Sequence, residues 1–534
     1  MNSLAKYHLC LIRRKSILLC FIFIAFCNRL MAQAPAIQWQ KCLGGSAKDS
    51  ATCIRQTSDG GYIVAGYTYS NDGNVSGNHG GADVWVVKLT SAGAISWQKT
   101  YGGSAIDEAN ATEQTSDGGY IIVGRTSSAD GEVSLNKGMT DAWIVKLDSN
   151  GNMIWEKTYG GSGPDEATAV KQTKDGGYIV AAWTASLDGD PVDIHNSVDY
   201  WILKLTDSGT IGWNKCYGGY ADEMPYAIQQ TKDSGYVVAG WSMSYDGDVS
   251  GNKGGVDYWV VKLDDTGKIS WNKSLGGLDD DLASAVVQSA DGGYVICGYT
   301  WSSDGDVKDH RGSGANTDMW LVKLDSIGNI DWSKCYGGSD GDNGTSVERT
   351  SDGGYIVAGG TVSRDGDVTG VHTDKYGFTQ DDFWVVKIDD TGAINWAKCY
   401  GGTGEEIAKS VLQTSDGGYM VAGYSNSNDS EVSGNHGLLD FWVIKLNAST
   451  GIPASNQNME LRVYPNPINT ELIIDGLDKG AGIKIFDIVG QLVFTGTAGA
   501  DKIIVNTAGF AKGTYILELV NERGECYIQK IIKY

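Results

Sequence analysis

The sequence is poor in proline, histidine and positive charge. With only 7 Pro beside 74 Gly the chain is turn-rich, but neither a collagen nor a proline-rich linker. Lys and Arg number 42 against 65 Asp and Glu, a formal net charge of −23. Such a polyanion repels phosphate backbones and anionic headgroups, which argues against nucleic-acid binding. No segment beyond Phe26 approaches the roughly 18 apolar residues of a membrane-spanning helix. There is no Gly-x-Ser-x-Gly elbow, phosphate loop or His-Glu-x-x-His. His79, His195, His310, His372 and His436 stand in no Cys/His metal spacing. Aromatic residues, by contrast, are abundant. Seventeen Trp and 27 Tyr exclude a disordered chain, because they supply the apolar surface that offsets ordering entropy.

Residues 1–32 read as a secretory signal peptide. Lys6, Arg13, Arg14 and Lys15 precede an apolar run from Ile17 to Phe26, and small residues follow at Ala32 and Ala34. The run is too short to span a bilayer comfortably. Beyond residue 32 the charge is −28 and seven Cys remain. Cys42, Cys216, Cys335 and Cys399 share one repeat position with Thr100, Thr158 and Ser274. Small residues in place of Cys point to buried free thiols rather than a disulfide framework, and Cys53, Cys297 and Cys526 have no evident partners.

Trp39, Trp97, Trp155, Trp213, Trp271, Trp332 and Trp396 mark an internal repeat with spacings of 58, 58, 58, 58, 61 and 64. Such a period indicates stacked or radial units. In the first unit, short β-branched or aromatic segments near 51–57, 62–68, 83–89 and 95–101 predict four strands, A to D. Asp-Gly-Gly before Tyr62 signals a tight A–B hairpin, because glycine supplies positive φ at no steric cost. Seven four-stranded units predict a β-propeller. The last unit lacks a D strand after Asp440–Leu446, whereas a surplus one lies at 37–43. Donated to the seventh unit, that strand closes the ring and leaves no orphan edge.

The units also resemble the seven-bladed β-propeller repeat family, through Tyr101-Gly102-Gly103-Ser104…Asp107-Glu108 and Asp141…Trp143…Lys146-Leu147…Gly151. The resemblance covers about 37–450 and implies the fold rather than a function, since propellers host binding, hydrolase and lyase activities. After a 451–458 linker, residues 459–534 read as a small Ig-like β-sandwich. The motifs Tyr464-Pro465-Asn466-Pro467, Ile485 to Gly490, Gly513-Thr514-Tyr515 and Lys530-Ile531-Ile532-Lys533 are similar to the type A C-terminal sorting domain of the Bacteroidota type IX secretion system. That resemblance implies passage across the outer membrane by the type IX machinery, followed by surface attachment or release. The expected organisation is therefore signal peptide 1–32, propeller 33–450, linker 451–458 and sorting domain 459–534.

Residues that recur in every unit are expected to build the frame. An Asp stands two residues before each C-strand Trp and a Lys three after it, and these are expected to satisfy strand ends. One recurrent set is a candidate calcium ring at the channel mouth: Asp49, Asp107, Asp165, Glu223, Asp281, Asp342 and Glu406, each ten residues after a marker Trp. The B–C loops add Asp188/Asp190, Asp246/Asp248, Asp304/Asp306 and Asp365/Asp367, read as solvated acidic loops. Features that vary between units are expected to carry function. The candidate ligand-binding residues are Trp183, Trp241, Tyr299 and Trp301 near the ends of B strands, with His310, Arg311, His372 and Tyr376 in the B–C insertions of units five and six. Aromatics on a rigid frame suit stacking on a sugar or peptide. The expected function is a secreted or surface binding module for glycan or protein. The alternatives are a propeller-type polysaccharide lyase or glycoside hydrolase, and a passive surface or matrix protein.

Overall fold

The computed structural model describes residues 33–312, 316–448, 462–477, 479–487, 491–520 and 526–533. The expected signal peptide 1–32, the expected linker 451–458 and Gly490 of the sorting motif lie outside these residues. The chain divides into two compact units, one spanning Ala34–Ser449 and one following it. Among the described residues every regular element is a β-strand.

The larger unit holds seven four-stranded antiparallel sheets. The first has strands Asp49–Gln56 (A), Tyr62–Thr68 (B), Asp83–Leu89 (C) and Ile95–Tyr101 (D), in the spatial order A-B-C-D. Five further sheets repeat it. The seventh takes Glu406–Gln413, Tyr419–Ser425 and Asp440–Leu446 from the end of the repeats, and its D strand is Ile37–Leu43. Strand C is buried at every position, packed on both faces, and so reads as the continuous apolar run Val84-Trp85-Val86-Val87 instead of alternating.

Adjacent sheets pack face to face through aromatic pairs. Trp97 of the first sheet meets Tyr120 of the second at 5.9 Å between centroids, edge to face. The same pair recurs between the last sheet and the first, with Trp39 and Tyr62 at 6.0 Å. A second tie recurs at the A–B turns. The Ser116 N–H donates to Gln172 Oε1 of the next sheet at 2.7 Å, and the Ser415 N–H to Gln56 Oε1 at 2.9 Å. Sheet seven therefore abuts sheet one as any sheet abuts its successor, in a propeller-like ring.

The recurrent Lys and Asp close opposite ends of the sheets. Lys88 Nζ donates to the Leu89 carbonyl at 3.1 Å and pairs with Asp59 of the A–B turn at 2.9 Å. Strand A carries a bulge between residues 51 and 53, and its counterparts carry the same bulge. A bulge re-aims its extra side chain. Here that is Thr52, which lines the central channel and donates to Ala65 and to Ala109 of the next sheet. Cys42, Cys53, Cys216, Cys297, Cys335 and Cys399 are buried free thiols.

The C-terminal unit has two antiparallel sheets. One comprises Arg462–Tyr464, Glu471–Asp475 and Lys502–Asn506. The other comprises Leu492–Thr497, Gly482–Asp487, Gly513–Val520 and Cys526–Lys533. Leu472, Ile474, Ile483, Ile485 and Leu517 belong to the core they share. Asn466 of the Tyr-Pro-Asn-Pro motif docks the terminal strand: its Nδ2 donates to the Lys530 carbonyl at 2.8 Å and its Oδ1 accepts the Ile532 N–H at 2.9 Å.

Candidate functional site

Antiparallel order brings all D–A and B–C connections to one face of the ring. There the expected calcium ring is not assembled. Asp49 opens strand A, and its side chain turns into the seam between sheets, where it is fully buried. Its Oδ1 accepts from the Thr68 hydroxyl, and its Oδ2 accepts from the Gly45 N–H at 2.8 Å and Ser70 Oγ at 2.9 Å. Asp107, Asp165, Glu223, Asp281, Asp342 and Glu406 are likewise buried, each held within its own sheet. The channel is lined lower down, by the bulge residues and their neighbours. Among the described residues no group of three or more His, Cys, Asp and Glu side chains is placed to hold a metal ion.

Each of these acids has a carboxylate neighbour. The Asp of strand C in the preceding sheet is fully buried or nearly so, and its Oδ1 has no hydrogen-bond partner in any of the seven seams. Gly44 shows how close the groups lie: a methyl on its Cα would be 2.6 Å from both Asp440 Oδ1 and Asp49 Oδ2. Burial pushes Asp281 up to about 7 and Asp141, Asp257 and Asp342 up to about 6.

The acidic B–C loops are pinned into the same frame. Asp188 Oδ1 accepts the Ser162 N–H at 2.6 Å, while Asp190 pairs with Lys137 of the preceding sheet. Two candidate ligand residues do equivalent work. Arg311 pairs with Asp367 and donates to the Gly337 carbonyl at 2.9 Å, and His372 Nδ1 lies 2.8 Å from Asp382 Oδ2, as His79 and His436 lie on Asp83 and Asp440. His310 is half-buried, and its Nε2 finds no hydrogen-bond partner.

The aromatic candidates sit elsewhere. Trp183, Trp241 and Tyr299 occupy one position near the end of strand B, half-buried, opposite Glu166, Met224 and Leu282 of strand A. Trp241 Nε1 is buried without a partner, and Trp301 packs edge-on against Tyr299 at 5.4 Å. Tyr376 is 73% exposed at the tip of the unit-six loop, beside exposed Phe378. Asp374 Oδ1 braces that tip by accepting the N–H groups of both aromatics, at 2.8 and 2.9 Å. Of the loop candidates, Arg311 and His372 are thus bound to neighbouring acids.

Charged residues stand at the mouth as well. Arg125 takes the strand-B position in sheet two and binds Glu108 at 2.6 Å. Around sheets six and seven stand Asp381, Glu405, Lys409 and Tyr424. Of these, only Tyr424 shares the strand-B position of the candidates Trp183, Trp241 and Tyr299; the others are visible solely as departures from the residues their sister units carry.

A ring of packed four-stranded sheets with one loop-bearing face defines a propeller-like scaffold. Its C-terminal unit identifies the export route: residues 462–534 match the family described as the secretion system C-terminal sorting domain. The protein is thus a type IX secretion substrate, delivered to the cell surface or secreted. A stretch of 237 residues is 27% identical to the regulatory protein FlaEY of Caulobacter vibrioides, covering 40% of this chain and 24% of that one. The chain therefore spans about a quarter of that relative's length. Among solved structures, PorZ, a surface component of the type IX secretion system of Porphyromonas gingivalis, aligns over 89% of this chain and 69% of its own. The identity is 11% and the TM-score 0.31. A puromycin hydrolase aligns over 83% and 62%, at 11% identity and a TM-score of 0.43. Likenesses this loose carry no functional argument.

Proposed function

We propose that this exported protein is a glycan-binding module of the cell surface, acting through the loop-bearing face of its propeller-like unit. The observation that carries the reading is the placement of Trp183, Trp241, Tyr299 and Trp301. They vary in identity between sheets, stand half-buried near strand ends, and are positioned by the regular strand-B frame of successive sheets. Large rigid rings held this way bind apolar sugar faces at low entropic cost. The test is a glycan array probed with the full chain and with Trp183→Ala and Trp241→Ala variants of unchanged melting temperature. Binding to a defined glycan set that falls in both variants supports the reading. An array without signal, or binding indifferent to both substitutions, overturns it.

A further inference from the structure

The sevenfold pattern fails most sharply at the seam between sheets six and seven. The residue before the C-strand Asp and the residue before the A-strand acid lie side by side at each seam. In six seams these pairs are Ala82/Ile106, Thr140/Pro164, Val198/Asp222, Val256/Asp280, Thr317/Gly341 and Leu439/Lys48. Only the seventh pair, Asp381/Glu405, is doubly acidic. The backbone there is the ordinary one: the Glu406 N–H donates to the Asp381 carbonyl at 2.6 Å, as the Asp49 N–H does to Leu439 at 2.7 Å.

Three further departures converge on the same spot. Gly360 stands where other sheets place Tyr, Trp or Arg, and Asp381 fills the space, its Oδ1 2.9 Å from where a Cβ on Gly360 would be. Lys409 takes the bulge position and lines the channel. At that position Thr52, Asn110 and Thr345 donate to the neighbouring sheet, whereas Lys409 has no ion pair or hydrogen bond among the described residues. Its ammonium instead lies 5.8 Å from the Tyr424 ring centroid, and Tyr424 Oη donates to Glu405 Oε1 at 3.1 Å.

The Asp381 carboxylate likewise receives no hydrogen bond from another residue and, among the described residues, has no cation within ion-pair distance. Burial and the adjacent Glu405 push it up to about 6. An open recess of about 550 Å³, lined by Lys48, Glu405, Asn426 and Leu438, adjoins the cluster and is large enough for a sugar residue.

Unpaired half-buried charge is costly unless a ligand completes it. Resting on the glycan reading above, we infer that Asp381, Glu405, Lys409 and Tyr424 form a subsite for an amino sugar carrying a protonated amine. The two carboxylates accept the ammonium group, the Lys409 ammonium and the Tyr424 phenol meet ring hydroxyls, and the Tyr424 face adds a cation–π contact. Alternating donors and acceptors on adjacent ring carbons match this mixed set better than a lone lysine side chain does.

Calorimetric titration of the full chain with glucosamine oligosaccharides, their N-acetylated counterparts and a lysine-rich peptide tests the assignment. The free-amine sugar is expected to bind about tenfold or more tightly than the acetylated one, as the loss of one charge-assisted hydrogen bond predicts. Asp381→Asn and Glu405→Gln, checked for unchanged melting temperature, should each remove that preference, and Lys409→Met should weaken both sugars. Equal affinity for both sugars, variants that keep the preference, or tighter binding of the peptide overturns the assignment. If neutral glycans bind through Trp183 and Trp241 regardless of Asp381, the subsite fails and the glycan reading stands. If no sugar binds, both fail.

Discussion

Trp442 donates its indole N–H to Gln40 Oε1 at 3.0 Å, across 402 residues of sequence. The equivalent bonds of Trp85 to Gln98 (2.8 Å) and Trp201 to Asn214 (3.0 Å) span only 13 residues. What sheets one to five form within a local hairpin, the last forms between the two ends of the repeat region. The seventh sheet cannot be complete until the chain has come round.

That dependence makes the first strand a test of the ring. Leu43 is buried against the first and last sheets. Leu43→Ala should cost about 2–5 kcal/mol, and Gln40→Ala, which removes a partly exposed hydrogen bond, about 1 kcal/mol. Urea unfolding of both variants measures this. Equal effects would mean that the strand adds little beyond its polar bonds.

The seams make a second prediction. A methyl at Gly44 enters the space between Asp440 and Asp49 and should destabilise by about 1–3 kcal/mol through overpacking, with a further cost from displaced hydrogen bonds. Gly60, at φ +79° with nothing within 4 Å of an added Cβ, should lose only about 1–2 kcal/mol as Ala, from left-handed strain. Thermal melts that reverse this order would contradict the close approach of the carboxylates.

The buried acids set the pH dependence. Asp141, Asp257, Asp281 and Asp342 hold protons in the folded state to about 6 or 7, whereas the unfolded chain releases them near the ordinary carboxylate value. Their contribution to stability therefore falls as pH rises from about 4 to about 7 and then levels off. Asp59, Asp117, Asp175 and Asp416 act oppositely: hydrogen bonds from Lys88, Lys146, Lys204 and Lys445 and from turn residues hold them at about 2. That contribution is lost below about pH 4. Melting temperature should peak in mild acid and decline to about pH 7 before levelling off, with a shallower decline in Asp281→Asn. A melting temperature that rises from pH 5 to pH 8 would sink the seam assignment.

Export supplies a further check. A chain lacking residues 462–534 should accumulate inside the outer membrane, while the full chain reaches the surface or medium, as fractionation and blotting would show. Asn466→Ala removes both bonds to the terminal strand and should lower the stability of the C-terminal unit by about 1–2 kcal/mol. Wild-type export of the truncated chain would separate the sorting domain from the route.

Strand positions, unit count and the donated first strand were legible because each unit repeats the same local chemistry: Asp-Gly-Gly turns, a doubly buried C strand, a marker Trp. The acid ring was misplaced because residue spacing locates a carboxylate along a strand but not the direction in which the backbone turns it, and here hydroxyls of strand B draw it into the seam. Arg311 and His372 looked free for ligand because their acidic partners lie 56 and 10 residues further on. Lys409 went unnoticed because a bulge, which aims it into the channel, leaves no mark in a single sequence.

The amino-acid sequence by itself determined the repeat, the strand pattern and the export tail, all of which rest on short-range periodicity and local motifs. Only the tertiary structure decided which carboxylates are buried against each other and which charged groups are left without partners at the mouth. Those outcomes depend on contacts between neighbouring sheets, and hydrogen bonding and desolvation are settled only once these surfaces meet.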